Sequence, residues 1–325
     1  MRRQRCLTPP SGTTLNGCTA DLGTLEEFPT ADGSFSLRSG HFGEAFHNSL
    51  GALNEAKAKF ALPAQLHRFR GQPLSVLDVC VGLGYNSAVV LEDCPEPAPQ
   101  LQWWGLELDR RPLDLALKRS DFQKLWTPTV LDRLEALRDR DGWSSTDGTG
   151  TMLWGDARQT LDRIPPERRF DLILLDAFSP GRCPELWSEE FLHALAARLT
   201  PGGRLLTYSR AAAIRASLRR AGLDLFSLLP APGERPGWSS GTLAVQGGTK
   251  PIPDNGPGWR PFSQMEEEHL QTRAAIPFRD PGGSDSSNTI LQRRSEEQQR
   301  CSLEATNAWQ RRWTDNRSKQ GINCH

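Results

Sequence analysis

Between residues 74 and 246 short apolar runs alternate with segments of helical spacing, and that alternation restricts the fold more than any other feature of the chain. Strands are expected over 74–79, 101–107, 151–154, 170–176, 204–209, 223–229 and 242–246. Helical patterns lie between most of them, including 188–199, which runs into Pro201-Gly202-Gly203, and 211–221, which stops at Gly222. The run Leu172 to Leu175 has no polar face, so its strand must be covered on both sides, as in a parallel sheet wrapped by helices. A short loop alone precedes the last strand. The expectation is an α/β, Rossmann-like sheet of seven strands.

Such sheets bind ligands at the carboxyl ends of their strands, and four positions there carry chemistry. The stretch V-L-D-V-C-V-G-L-G-Y-N over 76–86 reads as strand, tight turn and helix. Gly82 and Gly84 let a ligand approach the backbone, and the helix-terminal N–H groups, with Asn86 in the first turn, can hold its polar end. An ordinary βα turn would have the same outline. Glu107 ends the next strand in W-W-G-L-E-L-D, where a carboxylate can accept both hydroxyls of a ribose; Asp109 is the competing acid. Asp156 follows in W-G-D-A, a place suited to an adenine amino group.

The fourth strand stops at Asp176 in L-D-A-F-S-P and turns through Pro180, which sets a carboxylate at the cleft. Its oxygen could accept a hydrogen bond from an attacking amine and aim the lone pair. It could instead cap the helix beginning near Ser188 or bind a sugar. Glycine turn, ribose acid, adenine acid and strand-end Asp stand in the order that S-adenosylmethionine requires. A dinucleotide would call for G-x-G-x-x-G and ATP for a lysine after the turn, and this turn has neither.

Composition adds boundaries. Lys plus Arg and Asp plus Glu both number 39, so zero net charge removes the simplest argument for a nucleic-acid partner and leaves local patches to supply one. Arg215, Arg219 and Arg220 share one helical face, and Arg293, Arg294, Arg300, Arg311 and Arg312 follow in the tail; these are the candidates. No apolar run is long enough to span a bilayer and the first thirty residues lack a signal-like apolar segment, so the cytoplasm is the expected location. The 7 cysteines are scattered without a CxxC pair, which argues against a disulfide framework or a zinc site.

The chain divides into a flexible segment over 1–27, a β-hairpin and helix extension over 28–70, the α/β domain over 71–246, and a linker with an Arg- and Trp-containing extension over 247–325. Within the second part Asp32-Gly33 signals a hairpin, and 51–69 reads as a helix broken or restarted at Pro63.

With these residues in view, the chain resembles the methyltransferase half of the bifunctional tRNA 5-methylaminomethyl-2-thiouridine biosynthesis protein, the MnmC family. The matching stretches are D-G-S-F-S-L at 32–37, F-G-E-A-F-H-N-S-L-G-A at 42–52, the glycine turn, L-D-A-F-S-P-G-R-C-P-E-L-W at 175–187, P-G-G-R-L-L-T-Y-S at 201–209 and R-A-A-I-P-F-R-D-P at 273–281. The resemblance implies a seven-stranded S-adenosylmethionine-dependent methyltransferase sheet with a small N-terminal β/α extension and a C-terminal helical one. It further implies methyl transfer to the aminomethyl nitrogen of the wobble uridine in the anticodon loop of certain tRNAs, in the stand-alone form without a flavin oxidase domain.

In that reading Asp176 holds an amine N–H while Phe178 and Pro180 shape the pocket; Phe178 is equally suited to core packing. Glu44 and Glu55 lie in the matching amino-terminal element and could close over the cofactor pocket, and His47 is a site residue or a structural one. Arg182 and Trp187 touch RNA, or are a solvated Arg and a packed Trp. Two departures stand out: Cys80 replaces a glycine of the turn, and 230–238 holds Arg235 alone where adjacent basic residues are expected. An aminopropyltransferase of the spermidine synthase type, a small-molecule amine methyltransferase and a catalytically silent RNA-binding module are the competing readings.

Overall fold

Asp32 Oδ1 accepts the Ser34 N–H at 3.0 Å and Gly33 takes a φ of 75°, which turns the chain between its first two strands. The computed structural model describes residues 21–231, 233–234, 239–249 and 251–319, the last five by backbone only. Most of the segment expected to be flexible, and Arg235, lie outside these residues. β1 (Leu25–Phe28) begins inside that segment and pairs antiparallel with β2 (Ser36–Ser39), which pairs in turn with β3 (Glu44–Ala45). The helix expected over 51–69 is fragmented: Ala52–Ala56 is α-helical, Lys57–Ala61 widens into a π-type turn, and Gln65, at a φ of 52°, ends the run before a 3₁₀ turn at Leu66–Phe69. Pro63 sits in a first helical turn, where its missing N–H leaves no bond unmade.

The main sheet is built from β4 (Pro73–Val79), β5 (Gln100–Glu107), β6 (Gly142–Ser145), β7 (Gly148–Trp154), β8 (Phe170–Leu175), β9 (Leu199–Thr207), β10 (Leu223–Leu228), β11 (Gly241–Gln246) and β12 (Trp259–Pro261). Its spatial order is β12-β10-β11-β9-β8-β4-β5-β7-β6. The seven expected strands occupy the centre. β7, β5, β4, β8 and β9 run parallel, and the β10–β11 hairpin returns antiparallel against β9. Two strands extend the sheet beyond expectation. β6 pairs with β7, and β12, inside the stretch taken for a linker, covers β10 with the buried Trp259.

The apolar strand runs are buried on both faces. Leu172 and Leu174 join the cluster under the amino-terminal helical turns and the helix Pro128–Arg140, while Ile173 and Leu175 join the opposite one under the helices Glu189–Ala196 and Ala212–Arg220. Strand order reverses between β4 and β8, so β4, β5, β7 and β8 open their carboxyl ends onto one crevice. The helices Ser287–Arg300 and Thr306–Lys319 complete the described chain. No helix among the described residues is long and apolar enough to cross a membrane.

The arginine face expected to meet a polyanion is not one. Arg215 is 1% exposed, pairs with Glu266 at 3.1 Å and donates to Thr242, Ser239 and Gly241. Arg219 pairs with Glu267 at 2.6 Å, and Arg220 with Glu189. In the tail Arg293 pairs with Asp285, Arg294 donates to the Ile276 and Ala274 carbonyls beneath the Phe278 ring, and Arg312 pairs with Glu268 and Glu304. Arg215 and Arg219 staple the C-terminal extension to the α/β domain, and the tail arginines bond within the extension itself. The glutamates that pair with Arg215, Arg219 and Arg220 lie far away in sequence, which is why helical spacing alone misread that face.

Candidate active site

β4 ends in the glycine turn. Cys80 adopts a φ of 68°, the left-handed conformation a glycine would take, so the turn keeps its shape at a cost of about 1–2 kcal/mol. Gly82, at a φ of 57°, faces the Phe46 ring, which a Cβ there would meet at 3.4 Å. Its N–H donates to Glu107 Oε2 at 2.8 Å, and Leu108 and Asp109 donate to Oε1 at 2.7 and 2.8 Å. Burial raises the Glu107 pKa, and these N–H groups pull it back by favouring the carboxylate. A hydrogen-bond acceptor is thereby held beside the turn. The competing acid Asp109 is clasped by Arg111 at 2.7 Å.

Asp156 caps the short helix Ala157–Thr160 by accepting the Arg158 N–H at 2.9 Å, and it also takes the Arg158 guanidinium at 2.6 Å. Arg158 reaches on to the buried Asp280 at 2.6 Å and to the Asp285 carbonyl. The strap around Asp280 leads into the helix Ser287–Arg300, and Ser286, Ser287 and Asn288 face the same cavity as Asp156. No sequence signal in the tail marked these three residues. Ser287 is also hydrogen-bonded to Glu185 of the loop after β8.

Asp176 follows β8. Its Oδ2 accepts from Asn86 Nδ2 at 2.7 Å, and Oδ1 has no donor among the described residues. Burial, and then the carboxylate of Glu55, push its pKa up to about 7. It does not cap the following helix, because Ser188 does so by accepting the Phe191 N–H. Phe178 stacks on Phe42 with ring centroids 4.4 Å apart and meets Phe46 edge-on at 4.9 Å, so its ring both packs and walls the cavity. Its carbonyl accepts from Trp187 Nε1 at 2.6 Å; Trp187 is fully buried and not an RNA-facing residue. Glu44 Oε2 accepts the Ser179 N–H at 2.9 Å, which ties β3 to the same loop.

Glu55 accepts from Lys59 at 2.7 Å, and Lys59 also pairs with Glu234 at 3.0 Å. His47 is hydrogen-bonded to Ser36 and faces Tyr85 edge-on at 5.3 Å; burial lowers its pKa to about 4, so it is neutral.

These elements enclose one cavity of about 820 Å³, in the range that takes a nucleoside-sized ligand with room beside it. Of the residues singled out from sequence, Glu55, Gly82, Glu107, Asp156, Asp176 and Phe178 line it, together with Glu44, His47, Cys80, Asp109 and Arg182. Gly84, Asn86 and Pro180 do not. Gly84 starts the helix Tyr85–Glu92, where a Cβ would press on Leu113 at 3.0 Å, and Asn86 acts through Asp176. Among the described residues no group of side chains is arranged to hold a metal ion.

Residues 123–240 match the family model described as S-adenosyl-L-methionine-dependent methyltransferase. A crystal structure of MNMC2 from Aquifex aeolicus superposes with a TM-score of 0.71 at 26% identity, over 87% of each chain. The chain is similar to MnmC methyltransferases in sequence and in fold. A tRNA 5-methylaminomethyl-2-thiouridine biosynthesis bifunctional protein MnmC from Azoarcus sp. is 32% identical over 200 residues, 57% of this chain and 30% of that protein. The MnmC-like chain thus spans under a third of this bifunctional relative's length. An uncharacterised protein of Methanocaldococcus jannaschii is 26% identical over 83% of this chain and 72% of its own.

The cofactor of this methyltransferase is S-adenosylmethionine, and the donor set fits it. Glu107 offers a fixed carboxylate to a ribose, Gly82 leaves the backbone open beside it, and the acidic lining suits a sulfonium cation.

Proposed function

We propose that this methyltransferase acts on the 5-aminomethyl group of the tRNA wobble uridine, giving 5-methylaminomethyl-(2-thio)uridine. The observation that carries the reading is Asp176, a half-buried carboxylate that lines the cavity with one oxygen held by Asn86 and no donor among the described residues on the other, next to Glu55. An acid-lined acceptor end suits an amine better than a hydroxyl, because it draws a cationic group in and takes up its proton. The tRNA assignment draws its support from the names of the MnmC relatives.

S-adenosylmethionine, when bound, supplies an electrophilic methyl group on sulfur. The chain supplies alignment. Glu107, with Gly82, would receive the ribose, and Asp156 the adenine amino group. Asp176 Oδ1 accepts an N–H of the substrate and points the nitrogen lone pair inward. The Phe42–Phe178 pair and Phe46 wall this end and exclude water from the amine.

Incubating the protein and cofactor with tRNA bearing 5-aminomethyluridine, followed by mass spectrometry of the nucleosides, tests the reading. One added methyl on that nucleoside is expected. Methylation confined to spermidine precursors or to other small amines would overturn it.

A further inference from the structure

The cavity interior is acidic, and its mouth is not. Arg182 is exposed and lines the cavity, and its guanidinium carbon lies 3.9 Å from where a Cβ on Gly43 would stand. Arg38, also exposed, donates through Nη2 to the Gly43 carbonyl at 3.0 Å. Two guanidinium groups therefore meet on one glycine at the rim. Neither forms an ion pair among the described residues, whereas Arg215, Arg219, Arg220 and Arg312 are all neutralised by glutamates. The neighbouring acid, Glu44, is turned away onto the Ser179 N–H. Gly43 has a φ of 65° and no side chain to screen either group.

We propose that Arg38 and Arg182, joined at Gly43, clamp a backbone phosphate of the RNA next to the acceptor uridine. The inference rests on the tRNA reading above. A guanidinium has five N–H donors, and Arg38 commits one of them here, so the pair can grip a phosphate from two sides. Charge sorts the substrate along the path. Glu55, Glu107 and Asp176 within the cavity repel a phosphate, while the cationic aminomethyl arm is drawn past Phe42 towards Asp176. The polyanion halts at the rim and the amine goes in. A protein with zero net charge can in this way engage RNA through a few well-placed cations.

The test compares the parent with R38Q, R182Q and the double variant on two substrates, tRNA bearing 5-aminomethyluridine and the free 5-aminomethyluridine nucleoside, which has no phosphate. For the double variant kcat/KM on tRNA should fall at least tenfold, and the slope of log affinity against log salt should flatten by about one to two. Cofactor affinity and nucleoside turnover should stay within twofold of the parent, and R38K/R182K should recover most of the tRNA activity. Parent-like tRNA kinetics and salt slope in the double variant would sink the clamp, as would equal losses on both substrates. Should the parent fail to methylate the tRNA, the functional reading falls instead; binding of unmodified tRNA to parent and double variant still reads the clamp, and equal affinities reject it.

Discussion

Asn86 Nδ2 donates to Asp176 Oδ2 at 2.7 Å, so the helix that follows the glycine turn holds the carboxylate at the end of β8. The glycine turn and the strand-end acid are thereby one unit. A shift of the helix Tyr85–Glu92 would move this carboxylate, and a 1 Å misplacement of a reacting group can cost on the order of 10²-fold in rate.

Removing the acid separates its role from cofactor binding. Asp176→Ala should leave S-adenosylmethionine affinity near that of the parent and lower methyl transfer by ~10²-fold, about 2.7 kcal/mol in the transition state. Calorimetry and single-turnover assays check the two halves. Full turnover by the variant would remove Asp176 from the mechanism.

The pH profile should report the same group. With Asp176 raised to about 7, kcat/KM is expected to climb as pH passes through that value, because the ionised form accepts the N–H. Glu55 and Asp78 raise this pKa, while Asn86 and Lys59 lower it. Glu55→Gln deletes a like charge, so the acid limb moves to lower pH; Asn86→Ala deletes a donor to the carboxylate, so the limb moves up. Limbs that stay in place in both variants would assign the titration to another group.

Glu107→Ala should weaken S-adenosylmethionine binding at least tenfold, since two charge-assisted hydrogen bonds at about 1.5–3 kcal/mol each would be lost. It also strips three backbone N–H groups of their acceptor. Calorimetry on the purified variant decides, and an unchanged Kd would move the ribose contact to Asp109.

Arg215→Met should act on folding and not on RNA. Breaking its buried pair with Glu266 leaves a carboxylate whose donors, Arg260 foremost, hold its pKa near 2, and such losses cost about 3–5 kcal/mol. Glu266 is depressed relative to an unfolded carboxylate, so the stability it contributes is present above about pH 4.5 and lost as pH falls towards 2. Denaturant melts at neutral pH measure the first effect and an acid titration of the parent the second. A fully stable variant would contradict the structural role.

Asp280→Asn should loosen the strap that Arg158 anchors and raise the Kd for cofactor about tenfold, or 1.4 kcal/mol. Chain cleavage near residue 285 under limited proteolysis should quicken alongside. Parent-like values for both would confine Asp280 to local packing.

Much of this was legible in the sequence, for a physical reason. A strand run buried on both faces, such as 172–175, must be apolar, and an acid that ends one stands out against that background, as Glu107 and Asp176 do. Side-chain partnership across the fold leaves no such mark. Nothing around Arg215 announces Glu266, and nothing around Asn288 announces Asp156, because those meetings are made by the topology. Asn86 was singled out as a ligand-binding residue for its place beside the turn, yet its amide is spent on Asp176. Leu25 to Glu27 read as loop because their cross-strand partners, Leu37 to Ser39, are what make them a strand.

Both ends of the described chain close over the same crevice. Phe42 and Phe46 come from the amino-terminal sheet, and Ser286 to Asn288 from the carboxyl-terminal strap. A ligand bridging them is linked to the docking of both, since whatever binds the closed form stabilises it by mass action. Occupancy of the interior is therefore written on the outside of the molecule, as the fraying of two surface segments distant in sequence that should slow together when the cavity fills.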